Sequence, residues 1–450
     1  MTADTLRLLS DESTALHHRL QLIDAAQHEL LFSAYEVGDD PVALRILAGL
    51  RSAAARGVDV KLIIDGHSGN NLMPKVLMQH LIEHGVAVRE HLPDVRYQVD
   101  LGRQRMHDKL LIVDGQHLIM GGRNLRADYY GLAESNFTDR EVYLIGSTAA
   151  HARSYFLARW HAGTSGVPDL NRAEKKSVLK RQELAFLNVA DASKHGIGHR
   201  QPSTAYSASR LDALAGAAAV LDQALTAPLP MSSTCCAEHS LQCECEKFFF
   251  VERLCFLHDI PDQSKDLPGA IAHQLHQAIG AAQHCITIET PYFVPTRELR
   301  HYLLAARRRG VSIAVMTNSL ETTNQRIVHA QYANERHWMR EAGIELWELK
   351  GANHLHAKSM VIDNKRAMIG SYNFDVLSTN RNSEVALLID DAEFAEALAH
   401  QIRCHMQGAQ QVPPSGPLIG FDKRTNNLDK QELRQAIRHR FVSPWIKKYL

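Results

Sequence analysis

The sequence predicts an α/β protein in which one folding unit is used twice. Three observations carry that expectation: a self-similarity at an offset of about 250 residues, an alternation of helix-period and strand-period segments within each copy, and a charged motif recurring at one spacing. The first copy opens with Ala25-Ala26-Gln27-His28 and an apolar run from Leu30 to Ala34. The second opens with Ala281-Ala282-Gln283-His284, then Ile286-Thr287-Ile288. Next, Leu44, Leu47 and Leu50 recur at helical spacing, Arg56-Gly57-Val58 supplies the stop, and Val60 to Ile64 reads as a strand. Its counterpart is Leu299 to Arg309, Gly310-Val311, then Ile313 to Met316. Glu83-His84-Gly85-Val86 is echoed by Glu341-Ala342-Gly343-Ile344. Helices of about a dozen residues alternating with short β-branched strands predict a layered fold with a largely parallel sheet.

The expected organisation is a first unit over 1–165, a connector over 166–258, a second unit over 259–405, and a basic amphipathic tail over 406–450. The connector holds an Ala-rich helix, Leu211 to Leu225, which reads as a packing helix. A cysteine-rich loop follows, with Cys235, Cys236, His239, Cys243 and Cys245. That loop fits no standard zinc spacing.

Composition limits the function. Of the 450 residues, 45% are hydrophobic and 22% charged, enough apolar material for sizeable cores. Fifty basic residues balance fifty acidic ones, which argues against a general nucleic-acid coat. No apolar run reaches the ~18 residues of a membrane helix, and Met1 to Ala15 lacks the apolar core of a signal peptide. Seven cysteines are too few for a disulfide framework. The expectation is a cytoplasmic protein.

The chemistry sits in the repeated motif. One copy reads His107-Asp108-Lys109, then Asp114, Gly121-Gly122 and Asn124. The other reads His356-Ala357-Lys358, then Asp363, Gly370-Ser371 and Asn373. Residues two apart on a strand share a face, so each His and Lys project together. Asp114 lies at an odd offset and precedes Gly115, a turn signature, so it and Asp363 are expected to fix a turn or pair with a neighbour. Gly121, Gly122, Gly370 and Ser371 are small enough for a ligand to approach the backbone. Two lysines in one pocket favour an anion, and phosphate fits best. Two imidazoles suit one nucleophile and one general acid. Downstream, Asp139-Arg140-Glu141-Val142 aligns with Asn382-Ser383-Glu384-Val385. Glu141 and Glu384 are therefore candidates to hold the far ring nitrogens of the histidines. The reaction class is phosphodiester cleavage or transfer through a phosphohistidine, with neither metal nor organic cofactor.

These residues resemble the phospholipase D superfamily, whose signature is this doubled motif. Within it the sequence is most similar to bacterial cardiolipin synthases that lack N-terminal membrane helices. Gly122-Arg123-Asn124 with Tyr129-Tyr130, Pro291-Tyr292-Phe293, Thr317-Asn318-Ser319 and Val328-His329-Ala330-Gln331-Tyr332 add to the likeness. The resemblance implies two phospholipase D-like α/β/α sandwiches related by a pseudo-two-fold axis, with the active site at their interface. It implies that His107 attacks phosphorus and His356 protonates the leaving alcohol. Lys109, Lys358, Asn124 and Asn373 would hold the phosphoryl oxygens, and Asn318, His329 and Tyr332 would contact substrate. The implied function is phosphatidyl transfer that makes cardiolipin from phosphatidylglycerol and a second phospholipid, which includes phosphatidylethanolamine as a candidate. Hydrolytic phospholipase D activity is the alternative, and a nuclease is a lesser one. Two departures bear on the acceptor: Leu377 stands where such synthases usually carry Arg, and Arg140 where they tend to carry an uncharged residue. The tail places Arg434, Arg438, Arg440, Lys447 and Lys448 among Phe441, Trp445 and Tyr449, which suits peripheral contact with an anionic membrane.

Overall fold

The computed structural model describes residues 3–66, 73–91, 105–168, 210–228, 247–259 and 269–416. The first half contributes strands β1 (Asp4–Leu9), β2 (Glu29–Ala34), β3 (Asp59–Asp65), β4 (Val86–His91), β5 (Leu110–Val113), β6 (His117–Gly121), β7 (Phe137–Thr138), β8 (Glu141–Ile145), β9 (Ser165–Gly166) and β10 (Phe249–Val251). All but β7 form one sheet in the order β10-β1-β8-β6-β5-β2-β3-β4-β9. Its helices are α1 (Glu12–Ala25), α2 (Pro41–Ala55), α3 (Lys75–Glu83), α4 (Ser147–His161) and α5 (Arg210–Thr226).

The second half contributes β11 (Leu254–His258), β12 (Cys285–Glu289), β13 (Ser312–Asn318), β14 (Glu345–Leu349), β15 (His354–Leu355), β16 (Ser359–Ile362), β17 (Arg366–Gly370), β18 (Val385–Ile389) and β19 (Ala409–Gln411). Without β15 these form a sheet in the order β11-β18-β17-β16-β12-β13-β14-β19, which repeats the first sheet apart from that sheet's additional edge strand β10. Its helices are α6 (Ala270–Ala281), α7 (Arg297–Arg308), α8 (Arg326–Glu341), α9 (Val376–Asn380) and α10 (Ala392–Gln407).

The sheets are less parallel than the helix–strand alternation suggests. Parallel pairing joins β2, β3 and β4, and likewise β12, β13 and β14; the remaining ladders are antiparallel. The cause is local. β5 and β6 turn back through Asp114 and Gly115, both in the left-handed region, so no crossover helix is needed. The sheets also reach past the sequence boundaries. β10 and β11, both within the expected connector, add edge strands to the first and second sheets respectively, and β19 extends the second beyond 405. The Ala-rich α5 packs Ala217, Val220 and Leu221 into the core beneath α2 and α3.

Alternation along each strand separates the layers. Leu30, Phe32, Leu62 and Ile64 face the core under α1 to α3. Leu31, Ile63, Ile112 and Met120 face the other way and join Val361, Ile369 and Leu387 of the second sheet. Phe156 of α4 and Leu398 of α10 fill the same cluster. One continuous core therefore fuses the two halves, and the ends of β5 and β16 meet at its rim.

Candidate active site

Each motif is clamped at both ends of its strand. Asp114 follows β5, and its carboxylate accepts from the backbone N–H groups of Gln27, His28 and Glu29 at 2.8–3.1 Å. Asp363 follows β16 and accepts from Gln283, His284 and Cys285 at 2.7–2.9 Å. The Ala-Ala-Gln-His repeat is thus the backbone cradle of the motif aspartate. These carboxylates sit at the far end of the strand from the lysines, so Asp114 and Asp363 position the strand and do not belong among the reacting groups.

At the near end the two halves exchange backbone. His107 N–H donates to Ser383 O at 3.0 Å, and Ser383 N–H donates to Arg105 O at 2.8 Å. On the other side β15 pairs with β7, and His356 N–H donates to Thr138 O at 2.8 Å. The carboxylates follow the same exchange. His107 Nδ1 lies 2.8 Å from Glu384 Oε2 and 3.1 Å from Ser371 O. His356 Nδ1 lies 2.6 Å from Asp139 Oδ2. Both partners of His107 Nδ1 are acceptors, so Nδ1 carries the proton there and Nε2 keeps its lone pair. His356 Nδ1 also has the Lys358 ammonium, a donor, at 2.7 Å, and the shorter contact with the Asp139 carboxylate favours the same tautomer. Each histidine comes from one half and its carboxylate from the other.

Glu384 fills the expected place, but Glu141 does not. The Glu141 carboxylate is bound by Arg19 at 2.6 and 3.1 Å and lies 3.6 Å from Arg123. The register explains the error: Gly121 pairs with Glu141, whereas Gly370 pairs with Ala386, so Asp139 is the structural counterpart of Glu384. Matching the two Glu-Val dipeptides put the copies two residues out of step.

The small residues serve those carboxylates. A Cβ on Gly121 would meet Arg140 O at 2.3 Å, and one on Gly370 would meet Val385 O at 2.2 Å. One on Gly122 would lie 2.2 Å from Asp139 Oδ1, and Ser371 Oγ donates to Glu384 at 2.5 Å. The expectation that these positions open the backbone to a ligand is replaced by close strand packing around the carboxylates.

Burial and charge set the protonation states. Burial, then Lys109 and Lys358, hold His107 well below the usual imidazole range. Burial and Lys358 bring His356 down to about 3. Burial lowers Lys109 to about 8 and Lys358 to about 7, against the pull of nearby carboxylates. Burial pushes Glu384 upward, while Lys109 and bonds from Ser371, Ser378 and Asn382 pull it back. Lys109 Nζ donates to His107 O at 2.8 Å and lies 4.9 Å from the Tyr35 ring centroid. Lys358 Nζ donates to His356 O and lies 3.1 Å from His356 Nε2. Asn124 and Asn373 are both buried, and each leaves Oδ1 without a partner. The site is a buried cluster of two imidazoles, two lysines and two carboxylates, and the lysines and asparagines are groups that suit a phosphodiester.

Three residues expected to contact substrate are engaged elsewhere. Asn318 donates to Pro291 O and Leu355 O and accepts from Leu355 N–H, which braces the segment leading to His356. Tyr332 donates to Glu348 at 2.9 Å, and His329 Nε2 lies 3.3 Å from Arg336, whose Nε is 3.1 Å from Glu348. Tyr332 and His329 therefore belong to a polar network between α8 and Glu348 of β14. Sequence reasoning missed Asp139, Tyr35 and Ser378; the loops after the paired glycines differ in length, so strand pairing is what identifies Asp139. The tail cations and the cysteine loop lie outside the described residues. Among the described residues no group of three His, Cys, Asp or Glu could hold a metal ion, and no helix is long and apolar enough to cross a membrane.

The family model "Cardiolipin synthase, PLD-like domain" matches residues 20–160 and 275–406, which are the two halves just described. The chain belongs to this family. It is an enzyme of the phospholipase D superfamily, of the phospholipid phosphatidyltransferase type. Cardiolipin synthase C of Escherichia coli K12 is 29% identical over 413 residues, covering 84% of this chain and 80% of its own. Cardiolipin synthase A of Pseudomonas entomophila is 24% identical, covering 98% of this chain and 74% of its own. The crystal structure of phosphatidylserine synthase from Haemophilus influenzae superposes with a TM-score of 0.66 at 15% identity, over 99% of this chain and 95% of that one. That likeness supports the two-domain, phospholipase D-like fold.

Proposed function

We propose that this enzyme makes cardiolipin from phosphatidylglycerol and a second phospholipid through a phosphohistidine on His107. The supporting observation is the reciprocal pairing, in which each His–carboxylate couple is assembled across the seam around two buried lysines. In the first step His107 Nε2 forms a bond to phosphorus as the P–O bond to the departing glycerol breaks. That oxygen takes its proton from His356. His356 is neutral in the empty pocket, and the anionic phosphodiester, by offsetting Lys109 and Lys358, restores its affinity for a proton. In the second step the acceptor hydroxyl gives its proton to His356 Nε2, its oxygen attacks phosphorus, and the P–N bond breaks. Lys109, Lys358, Asn124 and Asn373 hold the non-bridging oxygens as charge builds on them. The surroundings of Nε2 support this division of roles: among the described residues nothing bonds to that of His107, whereas that of His356 faces Tyr129 and Lys358.

On this reading the protein works in the cytoplasm, peripherally on the anionic face of the membrane. Purified enzyme incubated with phosphatidylglycerol vesicles is expected to yield cardiolipin and glycerol. Phosphatidic acid as the main product would instead make it a hydrolase, and absence of lipid turnover would redirect attention to nucleic acid.

A further inference from the structure

The two halves of the pocket are not equivalent around their histidines. Tyr129 is buried, its ring stacks on Phe137 with centroids 4.5 Å apart, and it meets His356 edge-on at 5.0 Å. Its hydroxyl lies 3.4 Å from His356 Nε2 and accepts from Asn124 Nδ2 at 2.8 Å. The equivalent position in the second copy, five residues past Asn373, is Ser378, whose hydroxyl donates to Glu384 at 2.6 Å and so serves the far side of His107. Tyr372, the other tyrosine beside that motif, spends its hydroxyl on Thr379. Beside His356 Nε2, where an alcohol must take or give a proton, the structure therefore presents a tyrosine hydroxyl, while Tyr35 meets the His107 ring edge-on with centroids 4.7 Å apart.

We propose that Tyr129, held by Asn124, is a further catalytic residue that binds and orients the hydroxyl oxygen entering and leaving at His356. This rests on the phosphohistidine reading and names the alcohol side of that site. The asparagine N–H fixes one lone pair of the phenol oxygen, which leaves the phenol proton to be donated. In the empty site it is donated to His356 Nε2. With substrate bound it is donated to the alcohol oxygen, stabilising negative charge as the P–O bond breaks and holding the incoming hydroxyl between phosphorus and Nε2 as the bond forms. Tyr129 keeps its own proton throughout; the transferred proton moves between alcohol and His356 alone. Burial and the nearby Glu36 and Asp139 carboxylates hold the phenol well above its usual titration range, which suits a donor that does not ionise. Asn124 Oδ1, buried and unpartnered, remains to accept from a second hydroxyl of a polyol acceptor.

The test uses the full-length enzyme and a short-chain phosphatidyl-p-nitrophenol, whose leaving group needs little protonation. Tyr129→Phe keeps the ring stack and removes only the oxygen. Single-turnover p-nitrophenol release should fall much less than transfer, because that oxyanion is already stabilised by its own ring. In contrast, kcat/KM for glycerol as acceptor should fall about tenfold, the worth of one hydrogen bond, mainly through a higher KM. Equal losses in both measurements would make Tyr129 structural, and no loss in either would remove it from the mechanism. Both outcomes overturn the proposal. Failure of the wild-type enzyme to form a phosphorylated His107 would overturn the phosphohistidine reading itself, whatever Tyr129→Phe does.

Discussion

Asp139→Asn separates the arrangement found here from the one suggested by aligning the repeats. The Asp139 carboxylate sits 2.6 Å from His356 Nδ1 and is fully buried, so no water can replace it. An asparagine in the same place can turn its amide N–H toward Nδ1. The imidazole then takes the other tautomer, with Nε2 protonated and unable to accept from an alcohol. In a serine-protease triad the same change costs about 10⁴ in turnover, and a loss of about 10³–10⁴ in phosphatidyl transfer is expected here. Release of p-nitrophenol in a single turnover should be far less affected, because His107 keeps its tautomer through Glu384. Glu141→Gln provides the contrast. It breaks a buried pair with Arg19, an effect of about 3–5 kcal/mol that belongs in the melting temperature. The assays are vesicle-based transfer and thermal unfolding of both variants. A fully active Asp139→Asn, or a Glu141→Gln of normal stability with no activity, would refute the cross-seam pairing.

Three further outcomes follow from the geometry. The lysines must be charged to bind phosphate, and burial sets them near 7 for Lys358 and 8 for Lys109, so kcat/KM should decline as pH rises through 7–8. A flat profile to pH 9 would show that their charge is not needed. In Gly122→Ala the added Cβ would stand 2.2 Å from Asp139 Oδ1, so turnover should drop at least about tenfold, with KM for lipid little changed. Asp114→Ala strips three backbone N–H groups of their acceptor and should lower unfolding free energy by about 1–3 kcal/mol in denaturant titration, with turnover of the folded enzyme retained.

What the sequence made legible follows from distance along the chain. The doubled His-x-Lys motif and the Ala-Ala-Gln-His repeat are local strings, and they located both strands and both clamps. The carboxylates could not be placed as easily. Glu141 and Glu384 share a following valine, yet the loop after each glycine differs in length, and only strand pairing reveals that Gly121 faces Glu141 while Gly370 faces Ala386. Asn318, His329 and Tyr332 looked like substrate contacts because their strings resemble the family. Their polar atoms are committed to Leu355, Arg336 and Glu348, partners that no spacing rule discloses. The parallel sheet was over-read for a similar reason: helix–strand alternation is visible in sequence, whereas the hairpin of β5 and β6 is a matter of two left-handed residues.

The reciprocal seam has a consequence for how such a chain can change over generations. Because each histidine answers to a carboxylate encoded in the opposite copy, damage to one copy disables the other, and neither can be kept as a spare. The outer helices are free to drift apart, but the seam must change in matched pairs. Arg140 is such a case: it is wholly buried, and its charge is met by Glu289 on β12 and flanked by His405 on α10, both from the other copy. A duplicated unit locked in this way is a single hereditary unit, whose two halves can lose their likeness but not their dependence.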